Sequence, residues 1–156
     1  MRCSITNDEK SLPKVIRDLL NNKSDILLTV LPDTDIREAT GLMIDQSISA
    51  LIVLSKDGSL AGILTERDVA RYLVSQPGKT TAPVSEAMTN DLITCTPEHE
   101  VSEIAKIMLD SNIRHLPVIV DGGVIGVVSI RDIVKFHLAD LGTENRTLHD
   151  LVSALG

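Results

Sequence analysis

The sequence predicts a mixed α/β (α+β) fold of two tandem repeats, each strand–helix–strand–strand–helix, packed as one pseudo-twofold unit. Two alignments within the chain and one shared pattern predict it. Residues 29–54 lie over 94–119 at a constant offset of 65, with Thr29/Thr94, Pro32/Pro97, Glu38/Glu103, Met43/Met108, Asp45/Asp110, Ile48/Ile113, Leu51/Leu116 and Val53/Val118 identical. One residue drops out of the next turn, and an offset of 64 then pairs Gly62/Gly126, Thr65/Ser129, Arg67/Arg131 and Asp68/Asp132. The same register lays the single tyrosine, Tyr72, on the single phenylalanine, Phe136. The order of apolar runs and helical spacings is the same in both halves, as expected of a repeated supersecondary unit.

Each element follows from local chemistry. Short apolar strands are expected near 26–30 and 92–95, each running into a proline and an acidic cluster that starts a helix. Ile36, Ala39, Leu42 and Met43 keep helical spacing, as do Val101, Ile104, Ile107 and Met108. Leu51–Leu54 and Leu116–Val120 are continuous apolar strands, and Asp57-Gly58 and Asp121-Gly122-Gly123 turn them back as hairpins. A second strand ends at Leu64 or Val128, and a helix follows at once. The expected organisation is a first repeat at 13–75 with its lead-in helix, a linker at 76–83 and a second repeat at 84–140. The second repeat opens on a short helix, Val84–Met88. A tail at 141–156 carries a separate C-terminal helix built on Leu148, Leu151, Val152 and Leu155.

Composition narrows the function. The 156 residues are 43% hydrophobic, enough for a packed core. A net charge of −7 disfavours nucleic acid and anionic membranes. One Tyr, one Phe and no Trp rule out base stacking on aromatic platforms, so a planar ligand has to lie between aliphatic side chains. Cys3 and Cys95 are too few for a disulfide scaffold, and no apolar run approaches a membrane span or a signal peptide. A cytoplasmic protein is expected. The four histidines, His99, His115, His137 and His149, form no metal-ligand spacing; Cys95 and His99 straddle Pro97, and no nucleophile elbow or Walker loop occurs. No enzyme activity is expected.

The segment Gly62-Ile63-Leu64-Thr65-Glu66-Arg67-Asp68 recurs as Gly126-Val127-Val128-Ser129-Ile130-Arg131-Asp132. A strand ends at a hydroxyl residue where a helix begins, with a carboxylate three residues on. That spacing is a capping box. It also places a carboxylate beside free helix N–H groups, where vicinal hydroxyls of a ribose can donate to it. Spacing does not separate the two readings.

The duplicated unit, the Leu116-Pro117-Val118 strand and the two boxes resemble a pair of CBS domains, a Bateman module of the small standalone bacterial type, over roughly residues 13–140. The resemblance implies an adenosine-containing ligand in the cleft between the repeats and no required cofactor. AMP, ADP or ATP stand first, with NADH and S-adenosylmethionine ranked below them. It implies Asp68 and Asp132 as ribose acceptors and Thr65 and Ser129 as their hydroxyl neighbours. Arg114 and His115 become basic residues against phosphate, Arg67 and Arg131 additional charge, and Ile48 and Ile113 walls for adenine near Leu28 and Ile93. In the first repeat Ser49 and Ala50 replace the basic pair and Ile52 replaces the proline, so one good site and one weak one are expected. A homodimer is implied, with the amphipathic ends 13–22 and 148–155 as candidate surfaces, along with an effector protein in trans. The alternative is a ligand-free structural or protein-interaction dimerisation module in which the carboxylates serve only as caps.

Overall fold

The computed structural model describes residues 14–24 and 26–154, with side chains to 142. The first repeat holds β1 (Thr29–Val30), α2 (Ile36–Asp45), β2 (Ala50–Leu54), β3 (Leu60–Thr65) and α3 (Glu66–Ser75), and is preceded by α1 (Ile16–Asn21). A 3₁₀ turn, Val84–Glu86, leads to α4 (Val101–Asp110), β4 (His115–Val120), β5 (Gly123–Ser129) and α5 (Ile130–Ala154). α2 begins at Asp35, whose carboxylate accepts from the Arg37 N–H at 2.8 Å, and buries Ile36, Ala39 and Met43 on one face. α4 buries Val101, Ile104 and Met108 at the matching places.

Both helices end on a residue in the left-handed region, Ser47 (φ 54°) and Asn112 (φ 52°). The next amide then returns to the last turn, Ile48 N–H to Met43 O at 2.9 Å and Ile113 N–H to Met108 O at 3.0 Å. These reversals aim β2 and β4 back along the helices and leave Ile48 and Ile113 at the turn.

In the first sheet β2 pairs antiparallel with β3 and parallel with β1; in the second β4 pairs antiparallel with β5. The outer strands are shorter than the apolar runs suggest. The expected 26–30 strand pairs only over Thr29–Val30, with an additional bond from the Ile52 N–H to Leu28 O at 3.4 Å. The expected 92–95 strand reduces to a bridge between Cys95 and Val118. Pro117 explains the difference: it stands where the first repeat has Ile52, and without an N–H it has nothing to donate to Ile93, the counterpart of Leu28.

The cores exchange their lead-in segments. Ile16 and Leu19 of α1 are buried with Cys95, Ile104, Met108, Leu116 and Val128 of the second repeat. Ala82 of the linker and Val84, which opens the second repeat, are buried with Ile36, Met43, Leu51 and Leu64 of the first. Backbone bonds fix each exchange. Ile16 N–H donates to His99 O and Val101 N–H to Lys14 O, both at 2.9 Å; Ile36 N–H donates to Ala82 O and Val84 N–H to Thr34 O, both at 2.8 Å. The lead-in helix expected with the first repeat therefore packs on the second, and the apolar face of 13–22 is spent on that core instead of a partner. A second correction concerns the tail. α5 runs unbroken from Ile130 to Ala154, so no separate C-terminal helix exists. Gly142 costs a helix interior only about 1 kcal/mol, too little to end it without a proline. The side chains of 148–155 lie outside the described residues.

Candidate ligand site between the repeats

Each box forms where a strand passes into a helix. Ala50 faces Thr65 and His115 faces Ser129 across the hairpin ladders, and the first helical amides return to the neighbouring strand, Glu66 N–H to Ser49 O at 3.2 Å and Ile130 N–H to Arg114 O at 3.0 Å. Both carboxylates cap their helix. Thr65 N–H donates to Asp68 Oδ2 at 2.9 Å while Asp68 N–H donates to Thr65 Oγ1 at 3.2 Å. Ser129 N–H donates to Asp132 Oδ2 at 2.8 Å while Asp132 N–H donates to Ser129 Oγ at 3.1 Å.

Beyond the shared cap the two boxes differ. Asp68 is 4% exposed, and its carboxylate accepts three further donors: the Thr65 hydroxyl at 2.7 Å, the Thr89 hydroxyl at 3.0 Å and Arg71 at 3.4 Å. Its acceptor capacity is filled from within the protein. Asp132 is half-buried and takes one further donor, the Lys23 ammonium at 2.8 Å, on Oδ2. Its Oδ1 has no hydrogen-bond partner among the described residues. Burial alone would raise the Asp132 carboxyl, but the Lys23 bond and charge and the Ser129 donors outweigh it and hold the group below the ordinary carboxylate range.

Asp132 opens on a cleft of about 660 Å³ between the repeats. Leu28 and Ile48 wall it from the first repeat and Ile125 from the second; Arg114, Arg131, Lys23 and Lys135 bring positive charge against Glu66 and Asp132. Four cations against two anions favour an anionic ligand. Of the residues singled out in the sequence, Ser129, Asp132, Arg131, Arg114, His115 and Ile48 come together here. Thr65, Asp68, Arg67 and Ile113 do not line this cleft. Arg67 instead ties the repeats, donating to Asn112 O at 3.1 Å, and Ile113 packs against the second core. Lys23 was missed. It lies one residue beyond the lead-in segment, and no motif in the sequence marks it.

His115 differs from its expected role as a cation. Its Nε2 meets Ser49 Oγ at 2.9 Å across the repeats. Burial, with help from Arg114 and against the pull of Asp132, lowers its pKa to about 4. At neutral pH the ring is uncharged and acts as a hydrogen-bonding tie. Unfolded histidine takes its proton near pH 6.5, the folded ring only near 4, so this stabilisation is complete above 6.5 and lost as pH falls through that window. The loss expected is on the order of 2 kcal/mol. Denaturant midpoints at pH 7, 5.5 and 4.5 should fall for the wild type and fall less for His115→Gln. Parallel profiles would mean that the ring is not held neutral. Cys95, also buried, has its thiol pushed up to about 11 and is no nucleophile at neutral pH.

The family model of the CBS domain matches residues 16–75 and 84–139. The mitochondrial CBS domain-containing protein CBSX3 of Arabidopsis thaliana is 41% identical over 108 residues, 66% of this chain and 52% of that protein, so the match spans about half the relative's length. Inosine-5′-monophosphate dehydrogenase of Aquifex aeolicus is 36% identical over 69% of this chain but only 22% of the enzyme, so such a pair also occurs within larger proteins. The crystal structure of the CBS-domain containing protein ATU1752 from Agrobacterium tumefaciens superposes with a TM-score of 0.76 at 34% identity, covering 81% of this chain and 95% of that one. The CBS domain pair of protein MJ0100, in complex with 5′-methylthioadenosine and S-adenosyl-L-methionine, superposes with a TM-score of 0.72 at 27% identity, covering 82% and 98%.

Proposed function

The chain belongs to the CBS-domain family, and from that premise we propose that it is a non-enzymatic sensor of an adenosine nucleotide, AMP, ADP or ATP, held in the cleft at Asp132. One observation carries the reading: Asp132 keeps a carboxylate oxygen without a hydrogen-bond partner among the described residues, at the mouth of a cationic, aliphatic-walled cleft, whereas its counterpart Asp68 is filled from within. A ribose diol donates to that oxygen, adenine lies between Leu28 and Ile48, and the phosphate meets Arg114 and Arg131. The adenosine ligands of the MJ0100 pair support the class. Asp68 and Thr65 serve as the structural cap of the first repeat, which makes the Asp132 cleft the stronger of the two sites.

Occupancy bridges the repeats and biases their orientation, with a coupling typically worth 1–3 kcal/mol, and a partner in trans reads it. A second copy is the first such partner. Ile44 and Leu109 are exposed at matching places on α2 and α4, as are Val74 and Leu138 on α3 and α5, and a homodimer twofold covers one such apolar patch with the same patch of the second copy.

The test is calorimetry and thermal shift with AMP, ADP, ATP, NADH and S-adenosylmethionine, with the mass followed by sedimentation in the same samples. A nucleotide at 100 times its Kd should stabilise by about 2.7 kcal/mol. Asp132→Asn should weaken binding at least tenfold while leaving the unliganded protein within about 1 kcal/mol of wild type. The absence of any shift at millimolar nucleotide would sink the sensor reading, and a monomer mass throughout would remove the second copy.

A further inference from the structure

Lys23 places a cation from the lead-in connector on the carboxylate that faces the cleft. It follows α1 on the strand-bound connector into the first repeat, and its ammonium is pinned between Val127 O at 2.9 Å and Asp132 Oδ2 at 2.8 Å. Its side chain is 21% exposed and that of Asp132 17%, so the pair is held inside the cleft wall. In the first repeat the lead-in segment braces the box with a neutral group, and the cation on Asp68, Arg71, comes from α3 itself at 3.4 Å and is mostly exposed. There the lead-in segment reaches Asp68 through the Thr89 hydroxyl at 3.0 Å, and the box is complete. Lys23 thus differs in bringing a charge from the lead-in segment onto the half-buried carboxylate that faces the cleft, where it bears on what enters.

We propose that Lys23 sets the charge selectivity of the Asp132 cleft, admitting adenosine ligands that carry phosphate and disfavouring those that carry a sulfonium. This rests on the adenosine-sensor reading above. Paired with Lys23, Asp132 is a hydrogen-bond acceptor with its negative charge answered. It accepts a ribose hydroxyl through Oδ1 without offering a cationic ligand a counter-ion. Arg114, Arg131 and Lys135 then leave the cleft positive. Without Lys23 the Asp132 charge is exposed to the ligand, which weakens a phosphate and welcomes a sulfonium.

The experiment compares AMP with S-adenosylmethionine by calorimetry on the full chain, for the wild type, Lys23→Gln, Lys23→Met and Lys23→Arg. Glutamine keeps a donor of similar reach, and methionine keeps an unbranched chain of similar length without a charge, so one of the two neutral variants is expected to fold even if the other does not. The wild type should prefer AMP. The neutral variants should lower the ratio of AMP to S-adenosylmethionine affinity at least tenfold, and Lys23→Arg should keep it. Equal weakening of both ligands in the neutral variants would make Lys23 a brace only and overturn the proposal, as would an unchanged ratio or a wild type that prefers S-adenosylmethionine. Those outcomes leave the adenosine reading intact. A wild type that binds neither compound overturns that reading as well, and is recognised by the absence of signal before any variant is made.

Discussion

Asp68→Ala is expected to destabilise the protein by about 2–4 kcal/mol, against about 1 kcal/mol for Asp132→Ala, although the two aspartates occupy the same motif. Asp68 lies in the interior, and its carboxylate gathers the Thr65 amide and hydroxyl, the Thr89 hydroxyl and Arg71. Removing it strands the Thr65 and Thr89 donors where water does not easily reach, while Arg71, mostly exposed, turns to solvent. Thr89 is held there by more than the side-chain bond: its backbone exchanges two 2.9 Å hydrogen bonds with Ile63, and its carbonyl lies so close over Gly62 that a Cβ at that position would stand 2.7 Å away. The segment therefore has little freedom to close the gap. Asp132 is half-buried at an open cleft, and Lys23 keeps its bond to Val127 O when its carboxylate partner goes. Denaturant unfolding of both variants without ligand measures the difference. Equal losses would mean that both boxes are caps of the same kind, and the assignment of the ligand to the second would lose its basis.

The duplicated strand–helix–strand–strand–helix order was legible because its determinants are local: helical spacing that ends at Ser47 or Asn112, Asp-Gly turns, and a hydroxyl with an aspartate three residues on. The shortened outer strand of the second repeat was not read from the sequence, although its cause, Pro117 in place of Ile52, stands there. Nor was the exchange of lead-in segments. It is fixed by backbone bonds such as Ile16 N–H to His99 O and Val101 N–H to Lys14 O, which any residue but proline can make. The side-chain pattern of 13–22 suits either core. The inequality of the boxes was hidden for a related reason. Thr65-x-x-Asp68 and Ser129-x-x-Asp132 look alike, and the donors that distinguish them come from outside, Thr89 at a separation of 21 residues and Lys23 at 109. The neutrality of His115 arises from burial between the repeats, which a position beside Arg114 does not reveal. The unbroken α5 is a matter of magnitude, one glycine against the packing of a long helix.

Ile16→Ala is expected to cost about 2–5 kcal/mol, and the way that cost combines with others tests the exchange itself. Ile16 has no exposed surface and is buried in the core of the second repeat, although α1 precedes the first. Substitutions that share a core couple by about 0.5–3 kcal/mol, whereas separated ones add to within about 0.5 kcal/mol. In a double-mutant cycle Ile16→Ala should thus couple to Ile104→Ala of α4 and add to Met43→Ala of α2. Val84→Ala should do the reverse. The functional weight of this result comes from the connector that follows α1. It leaves one core and enters the sheet of the other, and on the way it places Lys23 on Asp132 and Leu28 in the wall of the cleft. On the proposed sensor reading, a ligand that takes hold of Asp132 acts on the strand of chain that joins the two cores, and a change in the cleft is expected to change how they sit. Coupling of Ile16 to Met43 instead would put α1 on the first repeat and remove that route.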